Sequence, residues 1–122
     1  MIKVFINASS RYPIDRRRIR NLINNILGEH HLDKNIEVSL MLTGDRRMTY
    51  FNSTYLKRSG TTNVISFPLQ DTNFPDDVLR LGDIVISYPQ ARKAAIESNI
   101  TIDDEIDRLV KHGVLSLLGL ED

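Results

Sequence analysis

The sequence predicts an α/β (α+β) fold: a single domain over residues 1–122, with about four strands in one mixed sheet and about four helices packed on it. Three observations predict it. Stretches of two-residue alternation and stretches of helical spacing follow one another in the order β-α-β-α-β-β-α-α. The 122 residues suffice for one compact core and are too few for two. The 41% hydrophobic content supplies that core, and no repeat, low-complexity tract or linker divides it.

Ile2, Val4 and Ile6 alternate with Lys3 and Phe5, which predicts a strand over residues 2–7. Pro13 and Asp15 open a helix in which Ile19, Leu22, Ile23, Ile26 and Leu27 recur at helical spacing, with Gly28 as its stop. Residues 36–43 alternate again and predict a second strand. Thr43 or Asp45 caps a short helix whose Met48, Phe51 and Tyr55 share a face, and Ser59-Gly60 breaks it. A short strand over 63–67 is closed by Pro68. Residues 69–80 have little periodicity and read as a surface loop, followed by a strand over 81–87 and a helix over 88–98. The final helix starts at Thr101-Ile-Asp-Asp, with acids in its first turn, and runs from about 102 to 118 before Gly119.

There is no cysteine, which excludes disulfides and thiolate metal sites and fits a reducing compartment. No apolar run approaches the ~20 residues of a membrane helix. The N-terminus is too short and too alternating for a signal peptide, so the expected location is the cytoplasm, with no membrane partner. Net charge is zero but uneven. Residues 1–61 carry 11 Lys and Arg against 5 acids, a surplus of +6, and residues 62–122 carry 5 against 11, a deficit of −6. The basic half suits an RNA backbone. The same charges also suit a solvated helix face.

The final helix carries the chemistry. Ile106, Leu109, Val110, Gly113 and Leu117 form its core stripe. At about 100° per residue, Glu105, His112 and Ser116 fall together on a flank beside that stripe. His112 and Ser116 are four apart, the spacing at which a helix offers two ligands to one metal. Gly113 permits close approach of another backbone. The helix lacks the glutamate that H-E-x-x-H proteases place after their first histidine. His30 and His31 read as a solvated turn and helix-dipole partners, and Asp83 as structural.

His112-Gly-Val-Leu-Ser-Leu-Leu-Gly-Leu-Glu-Asp122 resembles the signature H-G-x-L-H-L-x-G-Y-D-H of the YbeY family. Thr62-Asn-Val-Ile-Ser-Phe-Pro68 resembles that family's T-D-V-L-S-F-P, and Leu81-Gly-Asp-Ile-Val-Ile-Ser87 its L-G-D-I-x-I-S. Asn52 and Tyr55 match an N-x-x-Y-R stretch. The resemblance spans nearly the whole chain. It implies a zincin-like metal-hydrolase fold, one metal ion (usually zinc) held by three histidines, and cleavage of single-stranded RNA. It also implies a role in 16S ribosomal RNA maturation and ribosome quality control, with small-subunit ribosomal proteins as partners.

Position by position, the first ligand carries over as His112, the second falls on Ser116 and the third on Asp122. The family's phosphate-engaging arginine falls on Leu56, with Arg58 two residues away. Its T-D-V aspartate falls on Asn63, and its tyrosine and aspartate near the end fall on Leu120 and Glu121. Most relatives continue into a further C-terminal segment. The resemblance therefore implies catalysis by His112 and Arg58, metal held by His112 and Asp122, and phosphate contacts from Arg46, Arg47, Lys57 and Arg58. The alternative is a catalytically impaired homologue that binds RNA or the ribosome as an assembly factor without metal, since a serine hydroxyl is a weak zinc donor.

Overall fold

The computed structural model describes residues 1–30, 35–69 and 78–120. Strands β1 (Ile2–Asn7), β2 (Asn35–Thr43), β3 (Val64–Pro68) and β4 (Val78–Ser87) form one sheet in the order β1-β2-β4-β3. The first three in that order run parallel, and β3 is antiparallel at the edge. Helices α1 (Arg16–Glu29), α2 (Asp45–Leu56), α3 (Tyr88–Ser98) and α4 (Ile102–Leu117) cover both faces. This is the mixed four-stranded, four-helix α+β arrangement that the periodicity predicts.

The strand alternation sorts the helices. Ile36, Val38, Leu40 and Leu42 of β2 and Ile84 and Ile86 of β4 point to one face, where they pack with Ile19, Ile23 and Leu27 of α1, Ala91 of α3 and Ile106, Val110 and Val114 of α4. The opposite face holds a smaller cluster of Ile65, Val85 and Met48, bordered by Met41, Phe51 and Phe67, and α2 covers it. α1, α3 and α4 thus share one face and α2 has the other.

Several boundaries differ from expectation. Gly28 does not stop α1, which runs to Glu29 and is capped by His30, whose N–H reaches the Gly28 carbonyl. Neither Thr43 nor Asp45 caps α2. Gly44 is its N-cap, because Thr43 stays in the β2–β4 ladder opposite Ser87 and the Asp45 carboxylate is held elsewhere. Lys57, at φ 57°, ends α2 before Ser59. Residues 78–80 belong to β4 rather than to a loop, paired with Asn35, Ile36 and Glu37. Thr101 caps α4 by accepting from the Asp104 N–H. Gly119 closes α4 with φ 73°, as Leu120 N–H reaches Leu115 O and Gly119 N–H reaches Ser116 O.

Candidate functional site

α4 is seated flush on β4 and β3. A Cβ at Gly113 would stand 2.8 Å from Ile84 Cγ2, so only glycine lets the helix lie this low. One turn on, the Leu117 side chain reaches Gly82, whose φ of 138° and closeness to the Phe67 carbonyl exclude any side chain there. The Ser66 hydroxyl on β3 donates to the Gly113 carbonyl at 3.4 Å. Ser66 in turn pairs with Ile84 across the β3–β4 ladder. The three sequence stretches around Thr62–Pro68, Leu81–Ser87 and His112–Leu120 therefore meet in space.

At this junction His112 is exposed and Ser116 half-buried, one turn apart on α4. Glu105, the third residue of the expected flank, is only 2% exposed and is not available to the site. Arg108 donates to it twice, Nε at 2.8 Å and one Nη at 2.6 Å. That pairing raises the Arg108 pKa above its ordinary value. Asp122, Glu121 and His31 lie outside the described residues. Among the described residues no three His, Asp or Glu side chains come together to hold a metal ion. One imidazole and one weakly basic hydroxyl do not complete a zinc site.

The basic candidates divide into two places. Lys57 and Arg58 are exposed beyond the end of α2, on the sheet face opposite α4. The Lys57 ammonium donates to the Thr54 carbonyl at 3.1 Å. Arg46 and Arg47, in the first turn of α2, line a cleft of about 870 Å³ together with Arg11, Tyr12 and Tyr50. Arg11, Tyr12 and Tyr50 escaped the sequence reading. Arg11 and Tyr12 come from the β1–α1 connection and Tyr50 from α2, and no periodicity or motif joins the two segments.

A second hollow of about 450 Å³ lies under α2, lined by Phe51, Tyr55, Phe67 and Asp83. The Asp83 carboxylate accepts a hydrogen bond from the Ser39 hydroxyl, in keeping with a structural role.

A sequence model described as "Endoribonuclease YbeY" matches residues 5–122. A protein of that name from Syntrophus aciditrophicus is 39% identical over 117 residues, covering 93% of this chain and 71% of its own length. One from Persephonella marina is 34% identical over 122 residues, covering 99% of this chain and 79% of its own. The solution structure of TM1509 from Thermotoga maritima superposes with a TM-score of 0.62 at 20% identity, over 99% of this chain and 74% of that one, which speaks to the fold alone. No helix among the described residues is long and apolar enough to cross a membrane.

Proposed function

The chain belongs to the endoribonuclease YbeY family, and from that premise we propose that it is a metal-dependent endoribonuclease that cuts single-stranded ribosomal RNA during 16S maturation in the cytoplasm. One observation supports placing the site at α4: the hydrogen bond from Ser66 to the Gly113 carbonyl packs the helix onto β3 right beside His112. His112 is the one imidazole there among the described residues. Its proposed part is to hold, through one ring nitrogen, the metal ion that would activate a water at the phosphodiester.

Arg46, Arg47, Lys57 and Arg58 are the proposed phosphate contacts, with Arg58 standing nearest in sequence to the position of the family arginine. For the metal we propose one zinc ion, with His112 and Asp122 as ligands and Ser116 at the second ligand position. The described donors do not complete that centre. Small-subunit ribosomal proteins are the proposed protein partners. Family membership favours this enzyme over a metal-free assembly factor.

The test is cleavage of an end-labelled RNA in single-stranded and duplex form, with zinc content measured on the same preparation. Cutting confined to the single strand and reduced at least about 100-fold in His112→Ala is expected, since losing the ligand costs more than losing its support. Cutting that His112→Ala and chelation both leave unchanged would overturn the assignment.

A further inference from the structure

We propose that the cleft between the carboxyl ends of β1 and β2, which no residue of α4 lines, is a second RNA-binding site that holds a single strand by its phosphates and by one stacked base. The fold itself opens this cleft. β1 ends at Asn7 and β2 at Thr43, side by side and parallel. The chain leaves β1 toward α1 on one sheet face and leaves β2 toward α2 on the other. Two connections that diverge from adjacent parallel strands leave a crevice beyond the strand ends, the usual binding position in open α/β sheets.

Every charged side chain in the lining is cationic. Arg11, Arg46 and Arg47 contribute three guanidinium groups and no carboxylate lines the cleft. Asp45 lies next to Arg46, but its carboxylate is turned to Ser87, Thr61 and Gln90. Among the described residues none of these three arginines is in an ion pair, whereas Arg18, Arg80 and Arg108 each hold an acid. Three uncompensated guanidinium groups around one cavity repel one another and await an anion.

The aromatic lining decides which anion. Tyr50 projects from α2 with 57% of its surface exposed, a ring available for stacking. Tyr12 is fixed as a wall, stacked on Tyr88 with ring centroids 4.9 Å apart, its hydroxyl against Gly44. Arginines for phosphates beside an exposed aromatic ring form the platform that binds single strands without base readout. A protein partner with an acidic segment would use the arginines but gain little from Tyr50. At about 870 Å³ the cleft is also roomy for a lone phosphate.

The proposal rests on the nuclease reading for its ligand class, so its test reads binding rather than cutting. A fluorescein-labelled 2′-O-methyl oligonucleotide, shown by gel to stay intact, is titrated by anisotropy in the presence of chelator against wild type, Arg11→Ala/Arg46→Ala/Arg47→Ala and Tyr50→Ala over a range of salt. Each phosphate contact contributes about 0.7 to the log–log salt slope of a single strand, so the triple variant should lose about 2. Tyr50→Ala should weaken binding about tenfold with an unchanged slope. Removing Arg17 and Arg20 on α1 together with Lys93 on α3, all three exposed, serves as the control for bulk charge. A 4-thiouridine oligonucleotide should crosslink within residues 9–12 or 44–50. An equal loss in the control, or crosslinks confined to other segments, would overturn the cleft while leaving the nuclease assignment intact. RNA cutting absent from wild type, with cleft-dependent binding retained, would remove the nuclease reading instead.

Discussion

Gly113 on α4 sits so close to Ile84 on β4 that an added Cβ would lie 2.8, 3.1 and 3.2 Å from three of the isoleucine's side-chain carbons. Ile84 is fully buried and β-branched, so it has little freedom to turn away. Gly113→Ala sets two effects against each other. Alanine favours the helix by about 1 kcal/mol. Overpacking a well-filled core costs about 1–3 kcal/mol. The clash wins here because two of the three carbons branch directly from the Ile84 Cβ. We expect a net loss of about 1–2 kcal/mol, seen as a lower urea midpoint with an unchanged slope. A raised midpoint would mean that α4 does not lie this low on the sheet.

Asp45 ties three elements together. Its carboxylate accepts from the Ser87 hydroxyl at 2.8 Å, the Thr61 hydroxyl at 3.1 Å and the Gln90 amide at 3.2 Å. Ser87 has no solvent exposure, so its hydroxyl has no water to turn to. Asp45→Ala should cost about 2–3 kcal/mol through these orphaned donors. Asp45→Asn keeps an acceptor oxygen and should lose roughly half as much. Chemical unfolding of both variants checks the order, and equal losses would point to the charge at the helix N-terminus instead.

Much of the frame that positions these residues is legible in the sequence. Helical spacing marks the α4 stripe because Ile106, Leu109, Val110, Gly113 and Leu117 are all buried. The same wheel puts Glu105 beside His112, yet it cannot show that Arg108, three residues on, claims the carboxylate. Residues 78–80 look like a loop because the stretch 69–80 has two acids in a row after Pro75 and little periodicity. Arg80 instead pairs with Glu37 across the β2–β4 ladder at 3.3 Å. His112 stands out as a candidate from one motif on one helix. The arginine cleft does not, since Arg11, Arg46 and Tyr50 converge only when two parallel strands end side by side.

Arg18 clamps α1 to α4, with one Nη 2.8 Å from Asp104 and 2.7 Å from Asp107. Its hydrogen bond, followed by that of Thr101, holds the Asp104 carboxyl below the ordinary 3.8. A depressed carboxyl pKa favours the charged form in the folded state. The stabilisation is therefore complete above 3.8 and is lost as the pH falls through the lower folded value. Arg18→Ala should lower the unfolding midpoint at neutral pH, and the gap to wild type should close in acid. The pair is solvent-exposed, so added salt should narrow the gap as well. A gap that is constant with pH would show that Arg18 contributes by packing alone.

Ser116 stands one helical turn after His112, at one of the two positions where the chain departs from the three-histidine set that the family resemblance implies. Ser116→His would place two imidazoles at the i, i+4 spacing on one face of α4, so that both reach a single ion. The helix backbone is already formed at this position, with the Ser116 carbonyl accepting from Gly119 N–H, so the substitution changes only the donor. A hydroxyl is a poor zinc ligand and a neutral imidazole a good one. The variant should retain close to one zinc per chain after gel filtration, more than wild type, by elemental analysis. Added zinc should raise its melting temperature, because a ligand bound only to the folded state stabilises that state. Protons compete with zinc for the imidazole nitrogens, so retention should fall in acid. His112→Ala in the same chain should abolish the gain. If Ser116→His and wild type are both free of zinc after zinc is supplied, the α4 face is not a ligand surface, and His112 acts without a metal beside it.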